Sequence, residues 1–264
     1  MPQYSVETLA VGHSVIPGPE LFWMSHWDEW VELSFQVVLI RGNGVVALVN
    51  TGPAKDLEPM NEGWASFLGE RARMQRGESE DLLLQLERRG VTAADVTHVI
   101  LTPLQLYSVS NVLDFPRAQI CISRRGWTHF HTTHEHPHDV RATSIPDEIL
   151  VPLVTTEWDR VRLLEDEDEV AAGLRTWWSG GHHRASVVVE VDTAEGVVAI
   201  SDTFFYLSNV LEDHPMGITE SIEEARVAYA RVRRNAAHIL PLYDPSNFER
   251  YPGGLVASLT DDHT

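Results

Sequence analysis

The sequence predicts a single-domain α/β fold, and three observations carry the prediction. Short apolar runs bounded by turn signals recur in two successive halves of the chain, and segments with a helical apolar stripe lie between them. No Pro/Gly/Ser-rich linker and no sequence repeat divides the 264 residues. A single domain over 1–264 follows, long for one unit but within the range of a two-sheet α/β fold. The 43% hydrophobic content suffices for a sizeable core.

In the first half, Phe35 to Ile40 and Val45 to Val49 are apolar runs joined by Arg41-Gly42-Asn43-Gly44, a hairpin signal. Asp81 to Arg89 carries Leu82, Leu83 and Leu86 as a helical stripe, with Gly90 as its C-cap. Thr92 to Asp95 reads as a capping box opening a short turn before the strand Val96 to Leu101. Cys121 lies in the apolar run Ala118 to Ile122, a buried strand. The second half supplies a strand from Ser186 to Val191, a turn at Ala194-Glu195-Gly196, and a strand from Val197 to Ile200. A helix from Ser221 to Asn235 and a strand from His238 to Leu240 complete the pattern.

Composition narrows the function. With 39 acidic against 20 basic residues, the net charge of −19 argues against nucleic acid and anionic membranes as partners. Lys55 is the only lysine, so Schiff-base chemistry has one site to use. A single cysteine excludes an intramolecular disulfide framework. No basic-then-apolar leader and no run of membrane-spanning length is present, which makes the cytoplasm the expected location. Oligomeric state is left open, homo-oligomers included.

The segment after Val99-Ile100-Leu101 reads Thr102-Pro103-Leu104-Gln105-Leu106-Tyr107-Ser108. It resembles the Thr-His-x-His-x-Asp-His signature of the metallo-β-lactamase superfamily, with the frame present and the ligands replaced. Four further landmarks are similar to that family and stand in its order. Val46 to Gly52 resembles the strand ending in Asp-Thr-Gly, with Asn50 in place of the Asp. Gly181-His182-His183-Arg184-Ala185-Ser186 is similar to its Gly-His turn, and Ile200-Ser201-Asp202 to the strand ending in the bridging Asp. Pro241-Leu242-Tyr243-Asp244-Pro245 resembles the terminal Gly-His-Asp loop, with Tyr243 for the His. The stretch from Asp202 to Asn209, followed by Pro215-Met216-Gly217, looks most like the N-acyl-homoserine lactonase branch. The resemblance implies the αββα metallo-β-lactamase fold, two mixed sheets with helices outside, and a cleft where these loops converge.

It also implies a ligand count. One metal would use Pro103, Gln105 and His182, the second Tyr107, Ser108 and Tyr243, with Asp202 bridging. Only His182 and Asp202 bind zinc well, and Gln105 offers a neutral carbonyl. Tyr and Ser would have to lose high-pKa protons. Without metal, nothing lowers the pKa of bound water toward neutrality, the step that makes hydroxide available. No cofactor is expected, or zinc at most substoichiometric or mononuclear, with His182 and Asp202 as vestigial ligands.

Residue types then suggest roles. His182 beside Asp202 is a candidate base with an orienting carboxylate, His183 a substitute for its neighbour, and Tyr107 a further catalytic candidate, part of a polar patch able to hold a neutral ligand or stabilise an oxyanion. Gln105, Ser108 and Tyr243 form a neutral hydrogen-bonding patch suited to a neutral or weakly polar small molecule. The same side chains would also merely fill emptied metal space. Phe205, standing where the lactonase branch has a pocket tyrosine, and Tyr206 are candidate substrate contacts. Trp23 and Trp27 are candidates for an aromatic rim, although their spacing fits ordinary packing on the core as well. Five of the 13 histidines crowd into His129 to His138. His134-Glu135-His136-Pro137-His138 satisfies H-E-x-x-H in form, but Pro137 opposes the helix that this motif needs. A solvated lid bordering the pocket is the expectation.

The functional expectation is a small-molecule-binding pseudo-hydrolase. A metal-independent enzyme (acyl or lactone hydrolysis, cyclisation or isomerisation) is the alternative, and a mononuclear metallohydrolase using a lid histidine the weaker one.

Overall fold

Hairpins start the first sheet. Strand β1 (Ser5–Pro17) runs antiparallel to β2 (Trp30–Gly42), which turns into β3 (Val45–Val49). Asn43 and Gly44 take the turn at φ 52° and 76°. Two consecutive positive φ values define a type I′ turn, and Asn-Gly adopts them at low cost. Strands β4 (His98–Leu101), β5 (Gln119–Ser123) and β6 (Val161–Leu164) then extend the sheet in parallel. The second sheet is a meander of β7 (Glu167–Ala171), β8 (Leu174–Trp178), β9 (Val187–Thr193) and β10 (Gly196–Ser201). Strand β11 (His238–Pro241) joins it parallel to β10, and β12 (Leu255–Ala257) returns to the outer side of β1. The sheet orders are β12-β1-β2-β3-β4-β5-β6 and β11-β10-β9-β8-β7. This computed structural model describes residues 3–132, 141 and 143–259.

The near-continuous apolar runs follow from burial on both faces. Val37 to Ile40 and Ala47 to Val49 are buried at every position, and Cys121 is buried with its strand. The main core lies between the sheets, where Phe35 and Val37 share a cluster with Val187, Val189 and Val191. Tyr4 ties the two sheets together, its N–H donating to Asp192 O at 3.0 Å and its hydroxyl to Ala172 O at 2.9 Å.

Helices cover the outer faces. The helix Ile222–Asn235 buries Ala225, Ala228, Tyr229 and Val232, the i, i+3, i+4, i+7 stripe of an amphipathic helix, against Val188, Ala199 and Ile239. Burying each of the larger side chains is worth roughly 1.5–3 kcal/mol. Ser221 Oγ caps it by accepting from Glu224 N at 3.3 Å, and such caps contribute about 1 kcal/mol. The helix Leu82–Glu87 is capped by Asp81, which accepts from Leu84 N at 2.9 Å, and Gly90 follows at φ 70°. Its buried stripe is narrower than expected: Leu82 and Leu86 are buried, whereas Leu83 is 42% exposed. Among the described residues no helix is long and apolar enough to cross a membrane.

This topology positions the site. Strands β3, β4 and β5 are mutually parallel and so are β10 and β11, so their C-terminal ends feed loops to the same edge of the sandwich. Loops held by a rigid scaffold are where binding and chemistry concentrate.

Candidate active-site cleft

The frame begins at Asn50, the residue after β3, at φ 66°. Its Nδ2 donates to Thr102 O at 2.6 Å and its Oδ1 accepts from Thr102 N at 2.8 Å, latching the end of β3 to the end of β4. Thr51 continues the latch, with its N–H and hydroxyl both donating to Ser108 O, at 2.7 and 3.0 Å. The Thr102–Ser108 loop is thereby held against the β3 loop from both ends.

Asp202, at the end of β10, is fully buried beneath this loop. Thr102 Oγ1 donates to its Oδ1 and Ser186 Oγ to its Oδ2, the latter at 2.5 Å. Burial outweighs these donors and the nearby His183, and pushes the carboxyl up to about 6. Its two oxygens are committed to stitching β4, β10 and the turn before β9 together.

The turn between β8 and β9 carries the histidines. Gly180 and Gly181 lie at φ 57° and 75°, and a Cβ on Gly181 would sit 3.0 Å from Thr203 Cγ2 and 3.1 Å from Ala225 Cα. Glycine is thus required for both conformation and space. Glu224 accepts from Gly181 N at 3.0 Å and pairs with Arg184, which also pairs with Glu220. Gly181 O accepts from Glu220 N at 2.7 Å and Thr219 Oγ1 at 2.7 Å. The clamp aims His182 into the cleft. Its Nδ1 lies 2.7 Å from Ile218 O, an acceptor only, so Nδ1 carries the proton and Nε2 is the basic nitrogen. Ile218, rather than Asp202, is therefore the group that holds the Nδ1 side of the ring. His183 is turned toward its own loop, with Nδ1 accepting from Ala185 N at 3.1 Å.

The cleft itself has an empty volume of about 680 Å³, its mouth included. His182, Gln105, Tyr107, Tyr243 and Thr143 supply its polar groups, while Phe35, Phe205, Trp64, Phe67 and Met60 dominate its walls. The aromatic rings touch. Phe35 meets Trp64, Tyr107 and Tyr243, each with centroids 5.4 Å away, and Trp64 stacks on Tyr107 at 5.4 Å. Phe205 lies between Tyr243 (4.5 Å) and His182 (4.9 Å). The Tyr243 hydroxyl is buried next to Tyr107 and Ser108. Burial first, then Tyr107 and Asp202, holds it well above the ordinary tyrosine value, so it stays protonated.

These donors do not fit a pair of metal ions. Pro103 has no donor atom, Gln105 is neutral, and Tyr107, Ser108 and Tyr243 present hydroxyls where imidazoles or carboxylates would be needed. Among the described residues, no group of three or more His, Cys, Asp or Glu side chains is placed to hold a metal ion.

The architecture and the converging loops define the metallo-β-lactamase fold. Solved structures with the same fold include an N-acyl homoserine lactone hydrolase with N-hexanoyl-L-homoserine bound at its catalytic metal centre. It is 16% identical, covers 95% of this chain and 97% of its own, and has a TM-score of 0.76. A hydrolase of the β-lactamase superfamily is 14% identical over 98% of this chain and 91% of its own, at TM-score 0.67. A dizinc quorum-quenching lactonase in complex with a product is 14% identical over 98% and 92%, at TM-score 0.64. No family model matches the sequence. A search of curated proteins finds no match either.

The structure brings His182, Gln105, Tyr107, Tyr243 and Phe205 to one cleft. Ser108 and Asp202 lie buried behind it. Tyr206 turns away, its hydroxyl donating to Glu32 O at 2.5 Å. Trp23 and Trp27 are 44% and 66% exposed and line neither cleft nor core. Trp64, Phe67 and Met60, all from the helix Glu58–Leu68, form the wall that sequence reasoning missed. The cue in the sequence was that helix's own apolar positions, overshadowed by the denser aromatic run before β2. His129 and His131 flank the end of the helix Arg124–Phe130, while His134, His136 and His138 lie outside the described residues.

Proposed function

We propose that this chain is a metal-free pseudo-hydrolase whose cleft binds a neutral or weakly polar small molecule. The observation that carries the reading is the chemistry of the lining. Two tyrosines, a glutamine and one histidine face an otherwise apolar, aromatic wall, and among the described residues no Asp, Glu, Lys or Arg lines the cleft. Such a surface rewards burial of apolar area and fixes orientation with a few hydrogen bonds. It gives little to a substrate that needs a strong electrophile. Among solved structures of the same fold, one lactone hydrolase holds N-hexanoyl-L-homoserine at its catalytic metal centre and a dizinc lactonase is in complex with a product, so small amphipathic molecules are bound by proteins of this fold.

A thermal-shift screen of neutral, partly aromatic compounds, run with and without chelator, tests the reading. Binding to the folded state raises Tm by mass action, and the shift should be indifferent to chelator. Tyr107→Phe should weaken binding by roughly 0.5–1.5 kcal/mol where the hydroxyl contacts the ligand. A screen without any stabilising compound, or shifts indifferent to Tyr107, Tyr243 and His182, would place the working site elsewhere.

A further inference from the structure

We infer that the cleft catalyses proton transfer at the carbon next to a ketone, isomerising apolar β,γ-unsaturated ketones to their conjugated isomers. This deepens the reading above and rests on it, because the ketone must first bind in the cleft. The feature behind the inference is the arrangement of a base and hydroxyl donors about one apolar floor. His182 holds its proton on Nδ1 against Ile218 O at 2.7 Å, which makes Nε2 the proton acceptor. Phe205 separates it from the tyrosines, with centroids 4.9 Å from His182 and 4.5 Å from Tyr243. Tyr107 lies beyond, 6.1 Å from Tyr243 between centroids, and borders the same cleft. A ketone lying on Phe205 would have its carbonyl oxygen toward the tyrosines and its α-carbon toward His182.

The chemistry balances without a co-reactant. Nε2 takes the proton from the carbon between the carbonyl and the alkene. The C–H electron pair becomes the new carbon–carbon π bond, and the carbonyl π pair moves onto oxygen. Tyr107 donates a hydrogen bond to that oxyanion, and Tyr243, protonated and buried beside it, is a positioning residue for Tyr107. The imidazolium then returns the same proton to the γ-carbon: the β,γ π pair forms the new C–H bond, the enolate π pair moves to the α,β position, and an electron pair on oxygen restores the carbonyl. A positioned base and an oxyanion donor are the two requirements of proton abstraction next to a carbonyl.

The test uses the full chain with cyclohex-3-en-1-one as probe, following the absorbance of the conjugated product. Deuterium exchange into the α-positions of β-tetralone provides a second readout, and both are run in chelator. Wild-type protein should accelerate both reactions above buffer. His182→Gln, with its fold verified by circular dichroism, should lower the rate by about 100-fold or more, the typical contribution of a general base. His182→Asn serves if the Gln variant misfolds. Tyr107→Phe should lower kcat by roughly 10-fold or more, beyond its effect on KM, because the hydrogen bond to the carbonyl oxygen strengthens when that oxygen becomes an oxyanion. If either ketone stabilises the protein yet both reactions run at the buffer rate, the inference is wrong and the binding reading survives. An acceleration that persists in the His182 variants also overturns it. If no neutral compound of any kind binds, both readings fall together.

Discussion

Asn50 and Thr102 exchange a donor and an acceptor across the ends of β3 and β4, at 2.6 and 2.8 Å, through the side chain of the first and the backbone of the second. The position needs a side chain with both an N–H and a C=O, and one tolerant of φ 66°. Asparagine meets all three demands. At this position the side chain serves as a structural latch between two strand ends.

Asn50→Asp should therefore destabilise the protein. An ionised carboxylate has no donor for Thr102 O and sets two oxygens facing each other in a buried site, a loss of roughly 1–3 kcal/mol. Urea melts at neutral pH check this, and Asn50→Asp should recover part of the loss in acid, when the carboxyl regains a proton.

Asp202 gives a pH dependence with a definite sign. Its folded value of about 6 stands above the ordinary aspartate value of 3.8, so between those values the folded state binds the proton more tightly than the unfolded one. The contribution is fully present below about pH 4 and is lost as pH rises through about 6, worth about 3 kcal/mol for a buried carboxyl. The difference in unfolding free energy between wild type and Asp202→Asn, measured from pH 4 to 7.5, should shift against wild type across this window. A flat difference would mean that Asp202 is ionised throughout.

Gly126 packs under the histidine turn. A Cβ there would stand 2.3 Å from Ala185 Cα and 2.9 Å from Ala185 N, contacts that only a backbone movement relieves. Gly126→Ala should cost about 1–3 kcal/mol, the usual range for overpacking, and should weaken ligand binding because Ala185 shares the turn with His182. Denaturant melts and ligand titration read the two effects separately.

The two tryptophan sets should separate cleanly. Trp23→Ala and Trp27→Ala remove exposed side chains outside the cleft and should change stability by no more than about 0.5 kcal/mol and leave ligand binding intact. Trp64→Ala removes the ring stacked on Tyr107 and should abolish most of the ligand-induced Tm shift.

The sandwich was legible in the sequence through the motif loops, which stand in the order that the resembled family has, each after an apolar run of strand length. Strand β1 was not legible. A bulge between Ala10 and Gly12 shifts its register and breaks the alternation that marks a strand. At the site, residue types identified the cleft's polar groups but not their partners. That Ile218 holds His182, and that Thr102 and Ser186 hold Asp202, depends on contacts between residues far apart in sequence, which no local pattern encodes. Trp64 escaped for the same reason: its helix reads as a surface element until the fold lays it over the loop of Tyr107.

The most direct measurement is the zinc stoichiometry of untagged protein, by elemental analysis after equilibration with zinc and exhaustive dialysis, with anomalous diffraction to locate any bound ion. A cleft with hydroxyls and an amide in place of ligands, and with Asp202 engaged by two hydroxyl groups, predicts well under one zinc per chain and ligand-induced stabilisation unaffected by chelator. Two chelator-resistant zinc ions with anomalous peaks between His182 and Asp202 would contradict the account.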